Sequence, residues 1–293
     1  METKEKILFI INPVSGVGKQ KAVERAIDKA LDKSIFDYEV AYTQYAHQAT
    51  QISRTAAQNG VSIVAAVGGD GSINDCVRGL VGTDVKLAII PAGSGNGLAR
   101  AMKIPLNIRE AIKVINARKS ICIDTISLND TVYASIAGIG FDALVAKEFS
   151  KSRTRGFNSY FQIVASHYTM YKSCNYRLHI DGMKHRTKAL FICFANSNQF
   201  GYNTVVAPSA SLTDGYMDVI CVKKIPFVLL PFVASMLFIK LFEQSPYVTA
   251  FKAKEVIVQN EGIAAVNIDG DYSEQEGDLR LKIIEKNLNV ITP

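Results

Sequence analysis

Tryptophan is absent from the 293-residue sequence, and cysteine and histidine are scarce. The five cysteines are widely spaced and form no C-x-x-C pair. This pattern favours buried free thiols in a reducing compartment and argues against a disulfide framework. The four histidines show no spacing typical of metal ligands, so a zinc site is not expected.

Long apolar runs are also lacking, and the sequence predicts no transmembrane helix. The longest apolar stretch, residues 225–242, is interrupted by Pro226, Pro231 and Lys240. We interpret it as a core helix, with an acyl-chain pocket or a contact with the bilayer as alternatives. The apolar run at residues 7–11 is too short for a signal peptide and predicts a first strand. A cytoplasmic location is therefore expected.

Charge of either sign is moderate. Charged residues make up 20% and apolar residues 48%, which is typical of a globular protein, and the length allows two domains. The net charge of +6 suits an anionic partner such as a nucleotide or an acidic membrane surface. The excess is too small to indicate DNA binding, so no nucleic-acid partner is expected.

The first 120 residues alternate strand and helix signals, which is typical of an α/β domain with a doubly wound parallel sheet. Continuous apolar runs, as in buried parallel strands, alternate with helical spacings of apolar residues. The predicted strands are residues 7–11, 38–42, 62–67 and 86–90, and the predicted helices are residues 19–33, 47–59, 73–80 and 108–117.

Short strands dominate the following residues and predict a second, mostly antiparallel β domain over residues 121–285. Residues 175–180 and 188–195 flank a turn that begins with Asp181 and Gly182, a typical hairpin signal. The other predicted strands are residues 216–222, 255–258, 264–268 and 279–284, and the predicted helices are residues 159–171 and 229–242. Residues 286–293 are expected to return to the first domain, over residues 1–120.

Three glycine-bearing segments follow predicted strands of the first domain, at residues 12–19, 68–72 and 91–97. In an open α/β sheet, ligands bind beyond the carboxyl ends of the strands. Glycines there let backbone N–H groups approach phosphate oxygens closely. Because all three segments share this place, they predict a phosphate-binding site rather than three structural turns.

Two standard nucleotide-binding fingerprints do not fit these loops. A Walker A loop needs glycine where Pro13 stands and serine or threonine where Gln20 stands. The dinucleotide fingerprint needs glycine where Lys21 and Leu98 stand. The phosphate-binding loops therefore belong to another class.

Asp70 places a carboxylate among the glycines of the second segment. An anionic side chain beside a phosphate favours a cation between them, and Mg²⁺ is the natural candidate. The alternative is that Asp70 takes a proton from an attacking hydroxyl group.

Six motifs together resemble the diacylglycerol kinase catalytic-domain family, which includes bacterial lipid kinases and eukaryotic sphingosine and ceramide kinases. They occur in the family's order along nearly the whole chain. The motifs are Asn12-Pro13 with Ser15-Gly16, residues 68–72, residues 93–100, Gly140-Phe141-Asp142, residues 212–218 and Asp269-Gly270-Asp271. The resemblance implies a nucleotide-binding α/β domain like that of phosphofructokinase and NAD kinase, followed by a β-rich lipid-binding domain.

The resemblance also implies roles for individual residues. Asp70 would act through Mg²⁺, and Asp269 would be the general base aimed at the lipid hydroxyl. The family also offers an alternative in which Asp70 is the base. Asp271 stands where the family often has glutamate. The implied contacts with ATP are Asn12, Ser15, Gly16, Thr43, Gly68, Gly69, Gly71, Ser72, Gly93, Ser94, Gly95, Asn96 and Asp271.

The implied activity is transfer of the γ-phosphoryl group of ATP to a primary hydroxyl of a lipid, by an enzyme that visits the membrane surface. Gly97 stands where bacterial diacylglycerol kinases usually have aspartate, and the loop is closer to that of sphingosine kinases. Asp142 is expected to contact the lipid, where it would bind the ammonium group of a sphingoid base. These two residues lean towards a sphingoid base, and diacylglycerol is the other candidate.

Further acidic and basic residues are candidates for ion and lipid binding. Asp214 and Asp218 are candidate ligands of a structural Mg²⁺, with a turn aspartate and a strand residue as the alternative. The basic run over residues 147–155 is either a solvated face or a contact with anionic lipid.

Two other functions are left open. An NAD kinase would share the Gly-Gly-Asp-Gly loop and the fold, but residues 93–100 fit it less well. A non-enzymatic sensor would bind nucleotide or lipid without turnover, and the presence of both Asp70 and Asp269 argues against it. The oligomeric state is also open, with a homodimer as one candidate.

Overall fold

The structure is a computed structural model that describes residues 4–13, 20–152 and 156–293. The chain folds into two compact units. Unit 1 comprises Met1–Ile123 and Lys286–Pro293, and unit 2 comprises Asp124–Glu285. The predicted fold class, an α/β domain with a mostly parallel sheet and a second domain with antiparallel sheets, is confirmed.

Unit 1 alternates strands and helices. Its sheet has the order β2-β1-β3-β4, and the end of the last strand of the chain, β16, joins β4 in parallel through Asn289 and Val290. The neighbouring strands β1, β2, β3 and β4 also pair in parallel. The elements are β1 Glu5–Ile11, α1 Gln20–Ala30, β2 Phe36–Tyr42, α2 Gln48–Gln58, β3 Ile63–Gly68, α3 Asp70–Leu80, β4 Lys86–Pro91, α4 Gly97–Ala101, α5 Ile108–Asn116 and β16 Leu279–Ile291.

Local sequence signals explain these elements. Every residue of β3 is buried, as expected for a parallel strand covered on both faces. Helix α1 buries Val23 and Ile27, which lie four residues apart on one helical face. Asn107 caps α5, since its Oδ1 accepts hydrogen bonds from the backbone N–H groups of Arg109 and Glu110.

Unit 2 contains two sheets. One has the antiparallel order β12-β11-β10-β7-β14-β15, and the other joins the start of β16 to β13, β8 and β9 in antiparallel pairs. The strands are β5 Ser120–Leu128, β6 Thr131–Tyr133, β7 Ile136–Gly140, β8 Cys174–Ile180, β9 Met183–Ala189, β10 Phe191–Ala195, β11 Met217–Val222, β12 Val248–Ala253, β13 Glu255–Val258, β14 Ile263–Ile268 and β15 Asp271–Glu276. The helices are α6 Phe141–Lys151, α7 Phe157–Tyr168 and α8 Leu230–Ser235.

The core of unit 2 lies where the two sheets pack against each other. Phe194 and Ile268 from the first sheet meet Leu178, Val256 and Leu281 from the second in one buried cluster. Burial of these side chains provides the main free energy that holds the sheets together.

Two predicted elements of unit 2 are wrong in detail. The strand that follows the Asp181-Gly182 turn is β9, Met183–Ala189, and the next strand begins at Phe191. Residues 229–242 do not form one helix. Instead, a 3-10 turn at Phe227–Leu229 leads into α8, which ends at Ser235, and a second 3-10 turn spans Phe242–Gln244. Pro226 and Pro231 lie at helix starts, where a missing N–H is tolerated.

Among the described residues, which are 4–13, 20–152 and 156–293, no helix is long and apolar enough to cross a bilayer.

Candidate active site

The predicted nucleotide-binding residues of unit 1 follow the carboxyl ends of its strands. Asn12 follows β1, Thr43 follows β2 and Gly69 follows β3, while residues 92–96 follow β4. These four strands are parallel neighbours, so their carboxyl ends share one edge of the sheet. Ser15 and Gly16 lie outside the described residues.

Asp70 connects two of the glycine segments. It is the first residue of α3, and its Oδ1 and Oδ2 accept hydrogen bonds from the backbone N–H groups of Gly97 (2.6 Å) and Asn96 (2.8 Å). A carboxylate at a helix N-terminus is also favoured by the helix dipole. The structure thus places the Asp70 carboxylate at the starts of both α3 and α4.

Glycine at positions 69 and 93 permits the close approach of the two loops that Asp70 connects. A methyl group built on Gly93 would lie 2.4 Å from the Cα of Gly69, which is closer than side-chain carbons approach. Gly93 N–H also donates to the Gly68 carbonyl at 3.2 Å. Larger side chains would therefore separate the two loops.

The other residues predicted to contact ATP lie around these loops. Asn12 Nδ2 donates to Ser72 Oγ at 3.0 Å, which joins the first segment to the second. Asn96 has a left-handed backbone, with φ 53°, and its side chain closes the loop on both the N–H and the carbonyl of Gly93. Ser94 is exposed, and the Gly95 carbonyl accepts a hydrogen bond from Arg100 Nε.

Asp269 lies in unit 2, on the turn between β14 and β15. Asp269 and Gly270 both have positive φ, 50° and 93°, as in the tight turns of hairpins. The Asp269 carboxylate accepts from the backbone N–H groups of Ile136 at 2.7 Å and Ala134 at 3.4 Å. Asp271 is the first residue of β15, opposite Ile268.

Asp142 is buried and is connected to this turn through Asn267. It is 5% exposed, and its Oδ2 accepts a hydrogen bond from Asn267 Nδ2 at 2.9 Å. Burial raises the pKa of Asp142 to about 6, an effect that the hydrogen bond from Asn267 partly opposes. Asn267 Oδ1 accepts from Gly270 N–H at 3.0 Å, so one buried amide joins Asp142 to the Asp269 turn.

Gly138 makes room for this carboxylate. A methyl group built on Gly138 would lie 2.0 Å from Asp142 Oδ2. Gly138 also stands opposite Asn267 in the pairing of β7 with β14. The pair of Asp142 and Asn267 therefore needs glycine at position 138.

Asp214 and Asp218 are brought together by a lysine. Lys252 Nζ lies 2.7 Å from Asp214 Oδ2 and 3.2 Å from Asp218 Oδ2, and Ser209 Oγ donates to Asp218 Oδ1. Burial raises the pKa of Asp218, while the Lys252 charge opposes that shift. A cation held between these carboxylates would have to displace Lys252. Within the described part of the chain, no group of three or more His, Cys, Asp or Glu side chains is arranged to hold a metal ion.

Two lysines of the predicted basic run, at residues 147–155, form pairs in the structure. Lys147 Nζ donates to the Tyr272 hydroxyl at 3.0 Å and lies 3.7 Å from Glu274, while Lys151 pairs with Glu148. Arg153 and Arg155 lie outside the described residues. The two lysines thus pair with groups of unit 2 itself.

Two polar residues near the predicted site were not foreseen. Asn267 lies two positions before Asp269, and its polar side chain in the apolar strand β14 was the available signal. Asp124 is buried, and its Oδ2 accepts from Gly215 N–H at 2.8 Å, which fixes the turn after Asp214. Single carboxylates of this kind carry no local sequence pattern.

Comparison with known proteins places the chain in a family. Residues 6–128 match the model of the diacylglycerol kinase catalytic domain, and residues 135–292 match that of the YegS C-terminal NAD kinase beta sandwich-like domain. The two models define a lipid kinase with two domains. The chain belongs to the diacylglycerol kinase catalytic-domain family, so the resemblance predicted from its motifs is confirmed.

Individual relatives are similar along most of their length. Diacylglycerol kinases of Mycobacterium tuberculosis (strain ATCC 25618 / H37Rv) and Staphylococcus carnosus (strain TM300) are each 27% identical to the chain. The alignments cover 92% and 99% of this chain, and 89% and 96% of the relatives. A crystal structure of a proposed diacylglycerol kinase from Bacillus anthracis str. Sterne is 25% identical, with a TM-score of 0.83, and covers 100% of this chain and 97% of that one.

Proposed function

We propose that the chain transfers the γ-phosphoryl group of ATP to the primary hydroxyl of diacylglycerol or a closely related glycerolipid, with Mg²⁺ as the metal. The relatives named diacylglycerol kinases support a glycerolipid acceptor. The observation that carries the proposal is the Asp269 turn, which presents a carboxylate oriented by two backbone N–H groups. The family favours this function over an NAD kinase or a non-enzymatic sensor.

Unit 1 would bind the nucleotide. Backbone N–H groups of its glycine segments, at the carboxyl edge of a parallel sheet, suit the phosphate oxygens of ATP. Asp70 stands at the start of α3, where it suits a bound Mg²⁺ or its water ligands. The metal would neutralise negative charge on the phosphates as the phosphoryl group is transferred.

Asp269 would act on the acceptor. A general base must hold its carboxylate within hydrogen-bonding distance of the hydroxyl whose proton it takes. The bonds from Ala134 and Ile136 fix the orientation of the Asp269 carboxylate. The positive φ of Asp269 and Gly270 narrows the turn, which places the carboxylate at the end of the β14–β15 hairpin.

A sphingoid base is the second candidate acceptor, because Gly97 stands where bacterial diacylglycerol kinases usually carry aspartate. That substrate needs a carboxylate for its ammonium group, and Asp142 was the predicted partner. Asp142 is instead buried and bonded to Asn267. An ammonium contact would require this pair to separate, so the burial of Asp142 favours a neutral head group.

Phosphoryl transfer from labelled ATP tests the proposal. Diacylglycerol and a sphingoid base are offered side by side in the same mixed micelles, with NAD in a parallel reaction. We expect labelled phosphatidic acid as the main product, and its formation to depend on Mg²⁺. Preferential labelling of the sphingoid base or of NAD would overturn the assignment of the acceptor.

A further inference from the structure

The segment between β11 and β12 exposes large apolar side chains. Val228 is 87% exposed and Phe232 is 69% exposed. Large exposed apolar patches mark binding sites for proteins or membranes, and here seven exposed apolar side chains lie within 15 residues of the chain. The exposed members are Phe227, Val228, Leu229, Phe232, Phe238, Ile239 and Leu241.

The same segment, which we call the 225–242 segment, is anchored from beneath. Ile225, Val233 and Phe242 are buried in a cluster with Ile220 of β11 and Val248 of β12. These anchors hold the backbone in place while the neighbouring apolar side chains face the solvent. The exposed side chains therefore belong to a segment whose backbone is held in a defined position.

Hydrogen bonds fix the start of the segment. The Tyr168 hydroxyl donates to the Ile225 carbonyl at 2.7 Å and accepts from the Ile225 N–H at 2.9 Å. Lys224 Nζ donates to the carbonyls of Thr169 and Tyr171. These bonds tie the segment to the end of α7.

The charges within and around the segment are mostly positive, and the acidic residue that follows it, Glu243, accepts a hydrogen bond from Ser209 Oγ. Residues 223–242 include Lys223, Lys224 and Lys240 and no aspartate or glutamate. Lysines that flank exposed aromatic and aliphatic side chains fit the interface of an anionic bilayer, where apolar groups enter the acyl region and ammonium groups meet the headgroups. A phenylalanine at this boundary removes apolar surface from water.

The geometry limits the mode of contact. Helix α8 has six residues, so it spans about 9 Å at 1.5 Å per residue, against about 30 Å for the hydrocarbon core of a bilayer. The segment therefore fits the membrane surface rather than a crossing. A lipid kinase must reach an acceptor that resides in such a surface.

We propose that the 225–242 segment docks the enzyme on anionic lipid bilayers. This inference rests on the proposed function, since it gives the enzyme access to a membrane-resident glycerolipid. Phe227, Val228 and Phe232 enter the interface, while Lys223 and Lys240 meet anionic headgroups.

Vesicle binding tests the docking surface. The double substitution Phe227→Ser/Phe232→Ser is compared with Met183→Ser/Ile263→Ser, which removes two exposed apolar side chains elsewhere in unit 2. On phosphatidylcholine vesicles containing phosphatidylglycerol, we expect about 100-fold weaker binding for the first variant, at about tenfold for each phenylalanine. Binding by the control should match the parent. Equal binding by all three proteins overturns the proposal.

Charge reversal gives a second measurement. Lys240→Glu changes two units of charge, so it should weaken binding to vesicles with phosphatidylglycerol by about 30-fold and leave binding to pure phosphatidylcholine nearly unchanged. A loss of the same size on both vesicles would contradict the role of anionic headgroups.

Activity on a dissolved substrate separates docking from catalysis. Dihexanoylglycerol is offered as monomers, and long-chain diacylglycerol is offered in vesicles. The phenylalanine variant should match the parent on the first substrate and lose activity on the second. A parent that phosphorylates neither substrate contradicts the proposed function itself. A parent that turns over both, with a variant equally active on vesicles, contradicts docking alone.

A second copy of the chain is the competing occupant. Sedimentation equilibrium of the parent and the phenylalanine variant distinguishes it. A lower molar mass for the variant, with unchanged vesicle binding, would overturn the bilayer assignment. Equal molar masses with weakened vesicle binding support it.

Discussion

Asn267 Nδ2 donates a hydrogen bond of 2.9 Å to Asp142 Oδ2, and both side chains are buried. The same amide accepts the N–H of Gly270 at 3.0 Å. A residue of α6 is thereby joined through β14 to the turn that carries Asp269. We infer from this relationship that Asp142 positions the turn and need not contact the lipid.

Loss of this bridge should lower turnover without weakening ATP binding. Asn267→Leu removes the acceptor of the Gly270 N–H, and Asp142→Leu leaves Asn267 Nδ2 without the acceptor that orients it. We expect kcat to fall by about 10- to 100-fold in both variants because small displacements of a reacting group are costly. Asp142→Asn keeps an acceptor for Asn267 Nδ2 and should retain more activity than Asp142→Leu.

The acceptor lipid provides the control. In Asp142→Leu, the activity on diacylglycerol and the activity on a sphingoid base should fall by the same factor, and the KM for ATP should be unchanged. A loss confined to the amine substrate would restore the direct ammonium contact and contradict the positioning role.

Asp142 should also leave a signature in the dependence of stability on pH. Its pKa is about 6 in the folded protein, against 3.8 for an unperturbed aspartate, so the folded state holds the proton more tightly. The contribution of Asp142 to the free energy of unfolding therefore falls as pH rises from about 4 to about 6, by about 3 kcal/mol in total. The neighbouring Tyr160 and Cys193 stay neutral in this range, because burial raises the pKa of both.

Urea unfolding across this pH range measures the effect. The difference between the parent and Asp142→Asn isolates the contribution of one carboxylate, since Asn does not titrate. A difference that is independent of pH would show that Asp142 keeps an ordinary pKa.

The fold of unit 1 was predictable because its signals are local. The apolar run in β3 and the four-residue spacing of Val23 and Ile27 each report the environment of one element. Parallel order then brings the glycine segments to one edge of the sheet. The hydrogen bonds of Asp70 with Asn96 and Gly97 join residues 26 and 27 positions apart. Asp70 and its two partners nevertheless each lie in a motif of consecutive residues, which the sequence alone reveals.

Unit 2 was harder to predict because its contacts are distant along the chain. Asn267 and Asp142 are 125 residues apart, and neither belongs to a repeated spacing. Helix α6 follows strand β7 directly, and Gly140 stands where a Ser, Thr, Asp or Asn cap would have signalled its start. The 225–242 segment was predicted as a core helix, with an acyl-chain pocket or a contact with the bilayer as alternatives, because hydrophobicity alone does not distinguish buried from exposed apolar side chains.

Asp269→Asn separates acid–base chemistry from nucleotide binding. Asparagine keeps one oxygen for the N–H of Ile136 but loses the proton-accepting carboxylate, so turnover should fall by at least about 100-fold. Calorimetric titration with a non-hydrolysable ATP analogue and Mg²⁺ should give nearly the parent affinity. Substantial turnover in this folded variant would exclude Asp269 as the base.

Asp70→Asn should affect both steps. Asparagine offers one acceptor oxygen where the carboxylate binds the two N–H groups of Asn96 and Gly97, so the loop between β4 and α4 loses a contact. Removal of the charge also weakens the place proposed for Mg²⁺. We expect turnover to fall by about 100-fold or more and the affinity for the ATP analogue to fall with it. Unchanged nucleotide affinity, together with lost turnover, would instead favour Asp70 as the base.

Lys252 provides the last prediction, because it occupies the place where Asp214 and Asp218 were expected to hold Mg²⁺. Its Nζ contacts both carboxylates, and the Asp218 side chain is 2% exposed. Lys252→Ala leaves a buried carboxylate without its counter-ion, which should lower the free energy of unfolding by about 1–3 kcal/mol. The expected loss of stability is smaller than for a fully buried ion pair, because the Lys252 side chain is itself 41% exposed.

Lys254→Ala is the matched control. Lys254 pairs with Glu285, and both side chains are 53% exposed, so its loss should change stability much less than the loss of Lys252. Magnesium decides between lysine and metal as the physiological counter-ion. If Lys252 fills that role, added MgCl₂ leaves the thermal midpoint of the parent unchanged. A midpoint that rises with MgCl₂ in the parent but not in Asp214→Asn would show that the metal displaces Lys252, because a ligand stabilises only the state that binds it.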